Sequence, residues 1–412
     1  MTRPCSLLII GKVWPEPGSS AAGSRMMQLI QLFKSEGWEI TFASAAGKSG
    51  FETDLEQLGG KEQKIKLNDS SFDDFIRSVQ PSVVLFDRFM TEEQFGWRVA
   101  EEHPAALRIL DTEDLHCLRD AREQAWKEGR AFHTTDLFSD IAKREIASIY
   151  RSDLSLIISE TEMEILNECF GIRESLLHYV PFMLQSMEPE MLDKLPVYEQ
   201  RAHFVSIGNF LHKPNWNAVL YLKEDIWPHI RTRLPEAELH IYGAYSSQKV
   251  EQLHNAEQGF LIKGRAEDAK DVISNARLLL APLRFGAGIK GKLTEAMQCG
   301  TPSVTTSIGA ESMQGDLEWP GAVEEKPELF AEKAVWLYTH KREWEKAQEK
   351  GIQIINRRFA AKEVPGMLLK RIYLLVETLD NHRANNFVGQ ILLHHTAAST
   401  RYMAKWIEEK NA

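Results

Sequence analysis

The chain has 412 residues, which is long for one hydrophobic core, so two domains are expected. Its formal net charge of -10 argues against general nucleic-acid binding and against a broad basic membrane face. Hydrophobic content of 43% and charged content of 26% are those of a globular protein. No apolar run reaches the roughly 18 residues of a membrane span, so any membrane contact is expected to be peripheral and the setting cytoplasmic. The four cysteines Cys5, Cys117, Cys169 and Cys299 lie far apart, with no C-x-x-C pair. Neither a zinc site nor a disulfide framework is indicated, and a reducing compartment fits.

In chain order, Leu7–Ile10 is a first apolar run. It is followed by Gly11 and Lys12 rather than by a cleavage site, and reads as a buried strand. A loop of small residues, Pro15 to Arg25, leads into a helical pattern over Ala21–Lys34. Further strands are predicted at Glu39–Ala43, Val83–Phe86, Leu107–Leu110 and Leu154–Ile158, with helices at Phe72–Val79 and Glu92–Glu102. Strand–helix alternation of this kind implies a parallel sheet covered on both faces. A long mixed-charge helical stretch from Asp114 to Tyr150 is expected to break near Gly129. From Glu113 to Arg130 it holds four Lys/Arg against five Asp/Glu, so a solvated helix is favoured over a membrane-docking one.

The pattern lapses from Met183 to Gln200, the best candidate linker. A second alternating series follows, with strands at Phe204–Ile207, Glu238–Tyr242, Phe260–Lys263, Leu278–Ala281 and Pro302–Val304. The last ~40 residues read as helical. These features predict an α/β protein with domains at 1–185 and about 200–380.

The stretch from Ala281 to Gly300 carries the most chemistry. An apolar strand, Leu278–Ala281, runs into Pro-Leu-Arg-Phe-Gly-Ala-Gly-Ile-Lys-Gly-Lys-Leu-Thr-Glu-Ala-Met. Gly286 and Gly288 permit tight backbone geometry, and Ile289, Leu293, Ala296 and Met297 recur at helical spacing. A helix N-terminus with free N–H groups is an anion site, and Lys290 and Lys292 add two cations to it. Glu295 follows within two turns. The set suits a nucleoside diphosphate: phosphates at the helix tip, ribose hydroxyls on the carboxylate.

This stretch resembles the donor-site segment of family 4 (group 1) glycosyltransferases, in the variant written P-L-R-x-G-x-G-x-K-x-K-x-x-E-A-M. The resemblance is strong from His203 to Met313 and weaker before. It implies the GT-B fold, two Rossmann-like domains facing across a cleft, with the final helices, about 380–412, crossing back onto the first domain. It also implies a retaining, metal-independent transfer from a nucleotide-diphospho-sugar to a hydroxyl of a glycan or glycoconjugate. On this basis Gly286, Gly288, Ile289, Lys290, Lys292 and Glu295 form the donor site. Asn209 and Lys213, in the turn after the first strand of the second domain, would reach the diphosphate. Gly264 and Arg265 would offer backbone to the base, and Gly18, Ser19 and Ser20 would face the acceptor.

Asp111 and His116, in Leu-Asp-Thr-Glu-Asp-Leu-His, are expected to line the cleft and face the acceptor or the transferred sugar. An alternative gives Asp111 and Glu113 a divalent metal on the donor phosphates. Lysines and a helix tip would make that metal redundant, so no cofactor is expected. One departure from the family stands out: many relatives carry a second Glu eight residues before the first, where this chain has Ala287. Two rival functions stay open, a catalytically silent GT-B subunit and a GT-B sugar-nucleotide epimerase.

Overall fold

A computed structural model describes residues 5–394 together with Trp406 and Lys410. Two fully parallel sheets account for the two strand series. The first has seven strands: β1 (Ser6–Gly11), β2 (Glu39–Ser44), β3 (Lys61–Lys64), β4 (Val83–Asp87), β5 (Leu107–Asp111), β6 (Leu154–Ile157) and β7 (Leu177–Tyr179), in the order β3-β2-β1-β4-β5-β6-β7. The second has six: β8 (Ala202–Ile207), β9 (Leu239–Tyr242), β10 (Phe260–Gly264), β11 (Ala276–Ala281), β12 (Ser303–Thr305) and β13 (Gly321–Val323), in the order β10-β9-β8-β11-β12-β13.

The central strands are continuous apolar runs because both faces are covered. Val83–Phe86 and Leu107–Leu110 alternate between two cores, one on each side of the first sheet, apart from the buried Arg108. The strands that sequence periodicity missed are short or lie at edges. β3 is Lys-Glu-Gln-Lys, without an apolar residue, and is a strand through its register with β2 alone. Its charges blunt an exposed edge. β7 and β13 have three residues each.

Helix starts follow local capping chemistry. Ser20 accepts from Gly23 N at 3.0 Å and opens the helix Ala21–Ser35, and Ser139 caps Asp140–Arg151. The Asp114–Tyr150 stretch is a helix over His116–Lys127, a left-handed Gly129, a short 3-10 turn and a second helix. Residues Met183–Gln200 cross between the sheets with only a four-residue helix, Pro189–Leu192, and a turn at Tyr198–Gln200.

The helix Glu363–Glu377 inserts Leu368, Leu369, Ile372 and Leu375 into the core under the first sheet. Tyr373 accepts from Trp38 Nε1 at 3.1 Å. Arg383 then clamps Asp153 with bonds of 2.8 and 2.7 Å and donates to Ala106 O at 2.7 Å. Helical structure continues to Leu393 and is described again at Trp406 and Lys410; the rest of the expected C-terminal helical stretch lies outside the described residues.

In each sheet the strand order reverses once, between β1 and β4 and between β8 and β11. Ligands of open α/β sheets sit beyond the carboxyl ends of strands at such switch points. The loops that leave these four strands face one another across the cleft described next.

Candidate functional site

One cleft of about 510 Å³ lies between the sheets. From the second sheet it is lined by the loops after β8 and β11 and by the start of the Gly291–Gln298 helix. From the first it is lined by Lys12, the Gly18–Ser20 loop, Arg88 and the segment Glu113 to Arg119.

The loop after β11 needs its second glycine. Gly288 has φ +65°, and a Cβ there would lie 2.9 Å from Asp114 Cβ of the opposite domain. Ile289 is buried in the core beside Leu293 and anchors the loop. Lys290 is the N-cap of the following helix and leaves its first turn without a side-chain cap. Its Nζ donates to Gly288 O at 2.7 Å. Burial pulls the ammonium down to about 8. Lys292 is likewise pulled to about 8 by burial and donates to Asn215 Oδ1 at 2.7 Å.

Among the described residues neither lysine has a carboxylate within ion-pair distance. Two such cations at an uncapped helix start can hold an anion. Glu295 lines the same cleft, and its carboxylate accepts no hydrogen bond from a described residue; its backbone carbonyl accepts from Cys299 N at 2.9 Å. Burial raises its carboxyl to about 7.

The loop after β8 departs from expectation. Asn209 lines the cleft, but its Oδ1 accepts from Leu211 N at 2.8 Å and shapes its own turn. Lys213 does not face the cleft. It starts the helix Lys213–Tyr221 with its side chain 67% exposed and reaches Glu123 of the first domain at 3.0 Å. The helical rotation from residue 212 to 213 turns the lysine outward and leaves His212 inward. His212, whose imidazole burial lowers to about 4, and Asn215 line the cleft beside Asn209. Gly264 has φ +73° at the end of β10, and Arg265 lines the cleft with its guanidinium 4.2 Å from the ring centroid of Phe51.

On the opposite wall, Gly18, Ser19 and Ser20 line the cleft. Ser19 Oγ is buried with no partner among the described residues. Asp111 is the main correction. It was expected to line the cleft, yet it is fully buried at the end of β5. Its carboxylate takes three bonds of 2.9–3.1 Å from the equally buried Arg25. Arg25 also donates to Val180 O at 2.6 Å. Asp111 is thus a structural counter-ion, and its oxygens are engaged.

His116 does line the cleft, at the start of its helix. Its Nε2 lies 3.5 Å from Asp114 Oδ1 and its ring meets Phe89 edge-on. Burial lowers it to about 3, so it is a neutral imidazole. Glu113, at φ +63°, is pushed well above the usual carboxylate range by burial and by Asp111. Among the described residues no group of three or more His, Cys, Asp or Glu is placed to hold a metal.

The two walls are bonded to each other at the glycine loop. Glu162 Oε1 accepts from Gly288 N at 2.9 Å and from Leu115 N at 2.8 Å. Arg122 donates to Gly286 O at 2.9 Å and makes a two-pronged pair with Glu311 at 2.9 and 2.6 Å. Ala287, between them, packs against the core of the first domain. Sequence reading passed over Glu162, Arg122, Lys12, Arg88 and His212. The one available signal was their place just after a strand, shared by Lys12, Arg88 and His212.

This geometry agrees with comparisons against known proteins. Residues 201–340 match the family model for glycosyl transferases group 1. No curated protein matches the chain in sequence. Among solved structures, S. aureus TarM, crystallised as a mutant with fondaparinux, alpha-GlcNAc-glycerol and UDP, is similar with a TM-score of 0.67 at 11% identity, over 89% of this chain and 99% of that one. Anabaena Alr3699/HepE in complex with UDP and glucose gives 0.67 at 12%, over 90% and 100%. WaaG, a glycosyltransferase involved in lipopolysaccharide biosynthesis, gives 0.58 at 11%, over 89% and 99%. The chain therefore has the GT-B fold of glycosyltransferases. Its second domain is of the group 1 type, which bears out the family resemblance of the Ala281–Gly300 segment.

Proposed function

We propose that this protein is a glycosyltransferase that moves a sugar from a nucleotide-diphospho-sugar to a hydroxyl acceptor, with retention at the anomeric carbon and without a metal. The observation that carries the reading is the pair of lysines, Lys290 buried and Lys292 half-buried, with no carboxylate of a described residue in ion-pair distance, at an uncapped helix start set at the switch point of the second sheet. Lys290, Lys292 and the first N–H groups of that helix hold the donor diphosphate. Glu295 binds the ribose hydroxyls, and the backbone at Gly264 and Arg265 meets the base. The acceptor, a glycan or glycoconjugate, lies between the Gly18–Ser20 loop and His116.

As the bond from the anomeric carbon to the diphosphate oxygen breaks, negative charge grows on the leaving group. Fixed cations and helix N–H groups stabilise that charge without reorganising, the usual main source of such catalysis. The acceptor oxygen forms the new bond on the same face, and its proton passes to the departing phosphate oxygen. His116, neutral in this structure, orients the sugar as a hydrogen-bond partner rather than as a cation. The structural relatives solved with UDP support UDP as the first nucleotide to test.

Thermal-shift and calorimetric titration with UDP, GDP, ADP and their sugars should find one nucleoside diphosphate that binds. The matching sugar nucleotide should be slowly hydrolysed by the protein alone, with the anomeric configuration followed by NMR. Failure of every nucleotide to bind would overturn the reading.

A further inference from the structure

The donor reading occupies the switch point of the second sheet and leaves that of the first unused. Three cations gather there. Lys12 follows β1, Arg88 follows β4, and Arg119 lies in the first turn of the helix after β5; all three line the cleft. Each lies close enough to affect the charge of His116 between them. Few of their donors are used by the protein. Among the described residues Lys12 Nζ meets only Met90 Sδ, at 3.6 Å. Among the described residues the Arg88 guanidinium donates once, to Asp87 Oδ2 at 3.1 Å, and the Arg119 guanidinium pairs with Asp114 alone. The opposing carboxylates cancel two of the three. Asp87 and Asp114 balance Arg88 and Arg119, while burial drives Glu113 toward its neutral form. Lys12 is left over. Arg88 is also the N-cap of the fourteen-residue helix Phe89–Glu102 and makes no side-chain cap, so that helix start adds its positive end. In a chain of net charge -10 this excess is local.

We infer that Lys12, Arg88 and Arg119 form an oxyanion subsite, and that the acceptor is a sugar bearing a phosphate or carboxylate group beside the hydroxyl it offers. The inference rests on the glycosyltransferase reading above. Arginine matches the planar or tetrahedral oxyanion with paired N–H bonds, and a lysine supplies a point charge. The donor diphosphate is held on the other wall, so the charge recognised here belongs to the acceptor.

The test is calorimetric titration of the protein saturated with its nucleoside diphosphate, using glucose 6-phosphate, glucuronate and methyl glucoside as probes. At least one charged probe should bind about ten-fold or more tighter than the neutral one, as expected for a hydrogen bond to a charged group. Lys12→Met and Arg88→Met should each abolish most of that preference, and Lys12→Arg should keep it. Nucleotide affinity should stay within about two-fold in these variants, since their cations face the other wall. Lys12 is exposed, so Lys12→Met is not expected to disturb folding. Equal binding of charged and neutral probes, or no binding of a charged probe at millimolar concentration, would overturn the inference. So would an equal loss of nucleotide affinity in both variants, or displacement of the nucleotide by the phosphate probe. A protein that binds no nucleotide at all would instead remove the glycosyltransferase reading, and the nucleotide titration reports that separately.

Discussion

Replacing Lys290 with methionine should make the empty protein more stable and the nucleotide-bound protein much weaker. The side chain is 8% exposed, and burial lowers its ammonium from the ordinary 10.5 to about 8. Its neighbouring carboxylates give little relief. Glu311 is held by Arg122, and Glu162 is itself raised by burial to about 7. At about 1.4 kcal/mol per pH unit, keeping this lysine charged in the folded state costs on the order of 3 kcal/mol. Methionine fills nearly the same volume without the charge, so a gain of about 1–3 kcal/mol is expected near neutral pH.

The pH dependence has a definite sign. Between about 8 and 10.5 the unfolded chain carries the proton and the folded chain does not, so wild-type stability rises with pH across that window. The advantage of the variant should therefore be full below about pH 8 and shrink above it. Nucleoside diphosphate affinity should fall about 10- to 100-fold, with nucleoside affinity little changed. Denaturant melts of both proteins at several pH values, paired with calorimetry, make the measurement. A variant that is less stable when empty and still binds the diphosphate normally would refute the reasoning, because Lys290 would then be a satisfied structural residue.

Glu295→Ala should weaken nucleoside and nucleoside diphosphate by a similar factor, since its partner is the ribose; selective loss for the diphosphate in calorimetry would reassign it. Glu162→Ala frees Gly288 N and should raise the donor KM about ten-fold with a smaller change in kcat, whereas Glu162→Gln should recover much of the affinity because the amide oxygen still accepts. Matching losses in both variants would mean that the charge of Glu162, rather than its hydrogen bond, matters. Gly288→Ala places a Cβ 2.9 Å from Asp114 Cβ at φ +65°, and should cost about 1–3 kcal/mol of stability along with donor binding; an unchanged melt would contradict the closed loop. Chelator should leave turnover intact, and activity lost in EDTA and restored by magnesium or manganese would return Glu113 to a metal-binding role.

The sequence alone determined the layer type, most of the strands and the glycine–lysine segment that lines the cleft. Parallel strands buried on two faces are written as unbroken apolar runs, so Leu7–Ile10, Val83–Phe86 and Leu278–Ala281 declare themselves. A glycine turn feeding a helix is equally local, which is why Gly286 to Glu295 could be read from spacing. What stayed hidden depends on residues brought together from distant parts of the chain. β3 has no apolar signature and is defined by its partner strand. Asp111 looked like a cleft carboxylate because nothing near it reveals Arg25, which is 86 residues away. Lys213 shared a loop with the true lining residues, but one step of helical rotation carried it out to Glu123, 90 residues earlier. Glu162 reaches Gly288 across 126 residues, and Lys12, Arg88 and Arg119 meet only where strands β1, β4 and β5 end side by side. Periodicity records which face a residue shows to its own element; only the packing of two sheets against each other decides which charges share a cleft.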